Sequence, residues 1–184
     1  GRPNDPVVYR PIPNASRDLI AVVFNGCIYN HRELRAELQH AGHVFTTDHS
    51  DTEVLVHGWR AWGDELFDRL DGMYAVAIWN GMAGEYVLAR DTFGEKPLYH
   101  LRGHPGDQDH FAFASAMPGM LRLERELLGE PSAGQSEPGF WVRPWIKYGW
   151  NQGCMPGGRV QELVAGFHEV IPRSAGDHGG NGFS

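Results

Sequence analysis

Short apolar runs separated by turn residues organise the first two thirds of the chain. Leu19-Ile20-Ala21-Val22-Val23-Phe24 is continuous and apolar, and Asn25-Gly26 follows as a turn signal, so the run predicts a buried strand that ends there. Asn30 with Glu33 three positions on marks a helix start. Leu34, Leu38 and Ala41 then recur on one face and Gly42 stops the pattern, which predicts a helix over 31–41. Residues 43–47 read as a short strand. Ser50-Asp51-Thr52-Glu53 is a capping box that opens a second helix over 51–62, carrying Val54, Leu55, Trp59 and Trp62 and broken by Gly63. Residues 65–70 have room for another turn or two of helix. The run 73–79 is almost wholly apolar, Asn80-Gly81 turns, and 86–89 returns, so a hairpin forms around a central strand. Residues 97–99 and Phe111–Ala114 add two short strands. Strand, helix, strand, helix and then four strands is the order of a layered α+β domain rather than of a regular βαβ array.

The remainder is looser. Residues 116–184 hold nineteen Gly and Pro in 69 positions, against seventeen in 115 before them, so chain breakers are nearly twice as dense. The division this predicts is an irregular segment 1–18, a compact domain 19–122 and a Gly/Pro-rich extension 123–184. The chain has 184 residues, enough for one domain with a real core and too few for two large ones. Sixteen Lys and Arg against 23 Asp and Glu give a formal charge of −7, which disfavours binding to a nucleic-acid backbone. No run of eighteen apolar residues offers a membrane span and no basic-then-apolar leader opens the chain. The two cysteines, Cys27 and Cys154, make no disulfide framework, and the expected setting is the cytoplasm. The chain opens on Gly1 rather than Met, which reads as a processed terminus or as part of something longer.

Several chemistries lack their motifs. There is no phosphate-cradling G-x-x-x-x-G-K-[ST], no G-x-G-x-x-G after a strand and no G-x-S-x-G. The glycines from Gly176 to Gly182 precede no helix and read as a tail. Ten histidines, among them His40, His43, His100, His104 and His110, lack the C-x-x-C or H-E-x-x-H spacing that would complete a zinc set, so no metal site is expected. The informative stretch is Phe24-Asn25-Gly26-Cys27-Ile28-Tyr29-Asn30. A side-chain amide beside a flexible backbone N–H can donate two hydrogen bonds to a developing oxyanion, and the same dipeptide also serves as a plain turn.

This stretch, continued as His31-Arg32-Glu33-Leu34, resembles the V-F-N-G-E-I-Y-N-x-R-E-L motif of the class II glutamine amidotransferase domain of glutamine-dependent asparagine synthetases. Four further blocks follow in the family's order: Ser50-Asp51-Thr52-Glu53-Val54-Leu55, Leu70-Asp71-Gly72-Met73-Tyr74-Ala75, Ala89-Arg90-Asp91-Thr92-Phe93-Gly94-Glu95-Lys96-Pro97-Leu98-Tyr99, and Phe113-Ala114-Ser115. The likeness covers about residues 19–116. Beyond it, 145–149 and 166–172 look like the linker toward the family's second domain.

The resemblance implies an N-terminal-nucleophile (Ntn) hydrolase fold, with antiparallel sheets between helical layers in αββα order. It implies that an N-terminal cysteine attacks the side-chain amide of glutamine, ammonia leaves and a thioester is hydrolysed. Asn25 and Gly26 match the oxyanion-hole positions. Asp51 matches a carboxylate that holds the glutamine ammonium, beside its plain role as a partner of the helix dipole. Cys27 stands where the family has a glutamine-gripping Glu, and a thiol cannot pair with an ammonium. As a substitute nucleophile Cys27 lacks a built-in amine base, and the alternative is a small, partly buried residue. The family's nucleophilic Cys is absent, since position 1 is Gly, and Arg10 and Arg17 lack the context of the family's glutamine-binding Arg. The expected partners are glutamine and a synthetase domain, missing or separate. No cofactor is expected in this segment. ATP and magnesium are implied for the synthetase domain, whose S-G-G-x-D-S loop the sequence lacks; Pro156-Gly157-Gly158-Arg159 is not that loop. The reading is an ammonia-supplying domain for ATP-dependent asparagine formation from aspartate and glutamine; the alternative is a non-catalytic glutaminase-like domain that docks onto a synthetase partner.

Overall fold

A computed structural model describes residues 7–8, 19–102, 111–128 and 160–172. The predictions for 1–6 and 9–18, for 145–149, for 176–182 and for His104, His110 and Cys154 lie outside the described residues, whereas Val7–Val8, inside the segment expected to be irregular, forms a strand because it pairs antiparallel with Ala112 and Phe113. Strand β2 (Ile20–Ile28) pairs antiparallel with β3 (Gly72–Asn80), β3 with β4 (Glu85–Arg90), and β4 with β8 (His168–Pro172). A second antiparallel sheet has the order β1 (Val7–Val8), β6 (Phe111–Ala114), β5 (Tyr99–Arg102), β7 (Val160–Glu162). The helices are α1 (His31–His40), α2 (Asp51–Trp62), α3 (Leu66–Arg69) and α4 (Met117–Leu128).

Side-chain alternation turns these sheets into four layers. On β3, Tyr74, Val76 and Ile78 pack with Leu34, Leu38, Val54 and Leu55 of α1 and α2. Ala75 and Ala77 on the opposite face meet Phe111 and Phe113 of the other sheet. Small residues on one sheet thus receive aromatics from the other, and Tyr86 joins them with its ring 5.2 Å from that of Phe111. The far side of the second sheet packs Leu101, Ala112 and Ala114 against Met120 and Leu123 of α4. Helix, sheet, sheet, helix is the αββα order expected, in the α+β class.

Several elements differ from expectation. Asn25-Gly26 is not a turn: β2 runs through it to Ile28 in unbroken register with β3. Asn30 does not cap α1. Its amide instead donates to the Arg69 carbonyl at 2.8 Å and its oxygen accepts the Asp71 N–H at 3.0 Å, which pins the start of α1 to the end of α3. Residues 43–47 form no strand. The strand expected at 97–99 begins at Tyr99 and runs to Arg102. The boundary after 122 falls inside α4, and 160–172, grouped by composition with the loose extension, supply β7 and β8. In particular 166–172 is a turn followed by the edge strand β8 rather than a linker.

Two glycines let β2 and β3 approach where they would otherwise collide. A Cβ on Gly26 would run into the Met73 carbonyl, and one on Gly72 into the Cys27 carbonyl, each from the facing strand. Gly26 also has φ +154°, which L side chains rarely adopt. Backbone on backbone cannot yield as a side chain can. Gly26→Ala and Gly72→Ala are therefore each expected to cost about 2–4 kcal/mol in urea unfolding, from overpacking plus strain.

One buried and one half-buried imidazole add a pH dependence. His100 is 3% exposed between the sheets, with Nε2 3.4 Å from Glu169 Oε2 and Nδ1 without a partner among the described residues. Burial pulls its pKa below the ordinary 6.5, opposed by Glu169 and assisted by Arg102. Burial, helped by His43, lowers His57 too. Groups held neutral contribute stability that is fully present above the unfolded value and is lost as pH falls through the depressed one. Urea midpoints are expected to be flat above pH 7 and to fall below 6.5, with a smaller fall in His100→Gln.

Candidate functional site

The hydrogen-bond pattern of β2 exposes two donors. Antiparallel registers alternate between bonded and non-bonded pairs. Tyr29 N–H donates to Asp71 O at 2.7 Å and Gly81 N–H to Leu19 O at 2.9 Å, on either side of the β2–β3 ladder and in its register. Odd positions of β2 are therefore the bonded ones. Gly26, opposite Tyr74, and Ile28, opposite Gly72, occupy non-bonded registers, and their N–H groups point away from β3. Among the described residues β2 ends its sheet, so they point at an open edge.

Asp51 meets that edge. It is the first residue of α2, and its Oδ2 accepts the Ile28 N–H at 3.4 Å. Local chemistry puts it there. Ser50 Oγ accepts the Glu53 N–H at 3.2 Å, the forward half of the expected capping box. The reverse half is missing because Glu53 faces the preceding loop, taking the Thr46 N–H at 2.6 Å and the Thr47 N–H at 2.9 Å as well as both hydroxyls. These bonds hold its carboxyl down at about 2. Arg35 completes the loop, donating to the Thr47 and Ser50 carbonyls.

Asn25 and Cys27 lie on the face of β2 turned to the second sheet. The Asn25 amide donates to Ser115 Oγ at 3.0 Å, just past β6. Cys27 is a free, partly buried thiol two positions along. Asn25, Gly26, Cys27 and Asp51 thus gather at one end of β2. Ser115, which the sequence reading quoted without a role, joins Asn25.

They do not line a cavity that lies elsewhere among the described residues. That cavity, of about 250 Å³, is walled by Phe67, Asp68, Tyr74, Arg90, Thr92 and His168 among others. Burial, with the Asp91 and Asp68 carboxylates, pushes the Tyr74 phenol up to about 12. No group of three or more His, Cys, Asp and Glu suited to a metal occurs among the described residues.

The long motif after β4 proves to be architecture. Asp91 is fully buried and its carboxylate accepts the N–H groups of Tyr74, Phe93, Glu95 and Lys96 at 2.9–3.2 Å. Arg90 donates to the Lys96, Gly94 and Leu163 carbonyls and pairs with Glu162 of β7 at 2.7 Å. Neighbouring residues thus shape the loop and tie the two sheets together.

A family model described as "Glutamine amidotransferase domain" matches residues 7–130. The chain is 48% identical over 125 residues to asparagine synthetase [glutamine-hydrolyzing] 1 of Bacillus subtilis, covering 67% of this chain and 19% of that protein. It is 47% identical over 96 residues to a putative asparagine synthetase [glutamine-hydrolyzing] of Mycobacterium tuberculosis H37Rv, covering 51% and 14%. It is 33% identical over 156 residues to asparagine synthetase [glutamine-hydrolyzing] 3 of Arabidopsis thaliana, covering 84% and 26%. The chain therefore spans between about a seventh and a quarter of the length of these relatives. The solved glutamine phosphoribosylpyrophosphate amidotransferase of Bacillus subtilis aligns at TM-score 0.46 and 29% identity, over 67% of this chain and 26% of that one. No helix among the described residues is long and apolar enough to cross a membrane.

Removing one partner of a buried ion pair strands the other charge. Arg90→Met is expected to lower the stability measured by urea unfolding by about 3–5 kcal/mol. Phe93→Ser, two residues beyond Asp91 and 86% exposed, should change it by less than about 0.5 kcal/mol.

Proposed function

The chain belongs to the family of glutamine amidotransferase domains, and on that premise we propose that the open edge of β2 is its glutamine site. The observation that carries the reading is the common direction of the Gly26 and Ile28 N–H groups, with the Asp51 carboxylate at the second of them. The two amides are about 7 Å apart along the strand, a separation comparable to the distance from the α-nitrogen to the side-chain carbonyl of an extended glutamine. Asp51 Oδ1, with no hydrogen-bond partner among the described residues, takes the ammonium. Gly26 N–H and the second N–H of the Asn25 amide donate to the side-chain carbonyl oxygen. Those bonds strengthen as the oxygen gains charge in acyl transfer, which is the purpose of an oxyanion hole.

In the longer protein this domain releases ammonia from glutamine, and a synthetase domain uses it with ATP and aspartate to form asparagine in the cytoplasm. The described residues hold no group of three or more His, Cys, Asp and Glu suited to magnesium, and ATP and magnesium are assigned to the synthetase domain. A second reading, a glutaminase-like domain that docks onto a synthetase without turnover, is favoured by one feature: Cys27 replaces the family's glutamine-gripping Glu and leaves Asp51 as the matched carboxylate.

One exposed charge pair contributes about 0–1 kcal/mol. Calorimetry is accordingly expected to give the 184-residue chain a millimolar affinity for glutamine, about 4 kcal/mol. Cys27→Glu should tighten it. Micromolar binding, or no gain in a folded Cys27→Glu, contradicts the assignment. With Gly at position 1, a coupled assay of this polypeptide is expected to show no ammonia above buffer. Turnover that disappeared in Cys27→Ser would instead make Cys27 the nucleophile.

A further inference from the structure

Arg35 is 8% exposed, and no carboxylate pairs with it among the described residues. A guanidinium leaves water at a high cost unless its donors are matched. Here Nη1 donates to the Thr47 carbonyl at 2.5 Å and Nη2 to the Ser50 carbonyl at 2.8 Å, while the guanidinium carbon lies 4.2 Å over the Phe45 ring. Nε has no partner. A group held on those terms points to what it grips. The Ser50 carbonyl belongs to the peptide unit whose nitrogen is that of Asp51, so the second bond fixes the plane from which Asp51 departs.

We infer that Arg35 is a positioning residue for glutamine, clamping the Thr47 and Ser50 carbonyls so that the Asp51 carboxylate is held against the open edge of β2. The inference rests on the glutamine reading above. Arg35 acts through one group, the carboxylate that meets the ammonium. Lysine cannot replace it, because a single ammonium lacks the rigid fork that reaches two carbonyls at once. Glu53, bonded to Thr46 and Thr47, anchors the loop from its other side, so the loop should remain folded when Arg35 is changed.

The test is an NMR titration of the full chain with L-glutamine and with 4-carbamoylbutanoate, which lacks the α-amino group. It compares the wild type, Arg35→Lys, Asp51→Asn and the double variant. Arg35→Lys is expected to weaken glutamine about three- to fivefold, the size of one exposed charge contact. It should leave 4-carbamoylbutanoate unchanged and add nothing to Asp51→Asn. Deuterium exchange at the Ile28 amide should quicken in Arg35→Lys while Tyr29, bonded to Asp71, holds its rate. Equal loss for both ligands, further loss in the double variant, or an unchanged Ile28 rate overturns the inference. If glutamine binding is insensitive to Asp51→Asn, the glutamine reading fails and the inference with it. If Asp51→Asn weakens binding and Arg35→Lys does not, the inference alone fails. Should Arg35→Lys not fold, Arg35→Gln takes its place on the same criteria.

Discussion

The close approach of β2 to β3 at Gly26 and Gly72 is the constraint on which the candidate site depends. Each glycine stands where a Cβ would meet a carbonyl of the opposite strand. With both in place, β2 continues past Asn25 in register with β3 to Ile28. That continuation decides which amides are used up by the ladder and which face outward. A side chain at either position would force a bulge or a turn there, and the alternation that aims Gly26 and Ile28 at the open edge would be lost. One short stretch of backbone therefore sets the strand, its register and the direction of the donors that the ladder does not use.

The other features of the site hang on this edge from both sides. From the helical layer, α2 delivers Asp51 by way of a loop fastened through Glu53 and Arg35. From the second sheet, Ser115 reaches the Asn25 amide. Asp91 and Arg90 keep that sheet in place: one carboxylate collects four backbone donors, and the guanidinium beside it crosses to Glu162. Placing charge in the interior is tolerable because the buried groups are matched by several hydrogen bonds in a shape that planar groups fit. The division of labour is physical. Buried, fully bonded charges organise the scaffold, while Asp51 keeps an oxygen available at the edge.

Apolar periodicity made most of the scaffold readable in the sequence. The hairpin of β3 and β4, the helices α1 and α2 and the strand Phe111–Ala114 follow from runs and stripes whose spacing admits few other structures. Asn25-Gly26 was misread because a glycine that permits close approach looks the same in sequence as one that permits a turn. Asn30 looked like a cap, and only tertiary structure brings Arg69 and Asp71 near enough to take its side chain. Strands β7 and β8 are three and five residues long within a Gly-rich stretch, too short for a period to stand out. Asn25, Gly26, Cys27 and Asp51 were singled out through their likeness to a family motif. Their gathering at one end of β2 needed the register, which no local pattern states. Arg35 gave no sign at all, since a buried arginine on a helix face cannot be told from a solvated one without the fold.

A crystal structure of the chain soaked in concentrated L-glutamine tests the central claim most directly. The ligand is expected along the end of β2, its α-amino group within hydrogen-bond distance of Asp51 and its side-chain carbonyl oxygen on the Gly26 N–H. Glutamine seated instead in the cavity beside Tyr74 and His168, with the edge of β2 bare, would contradict the account.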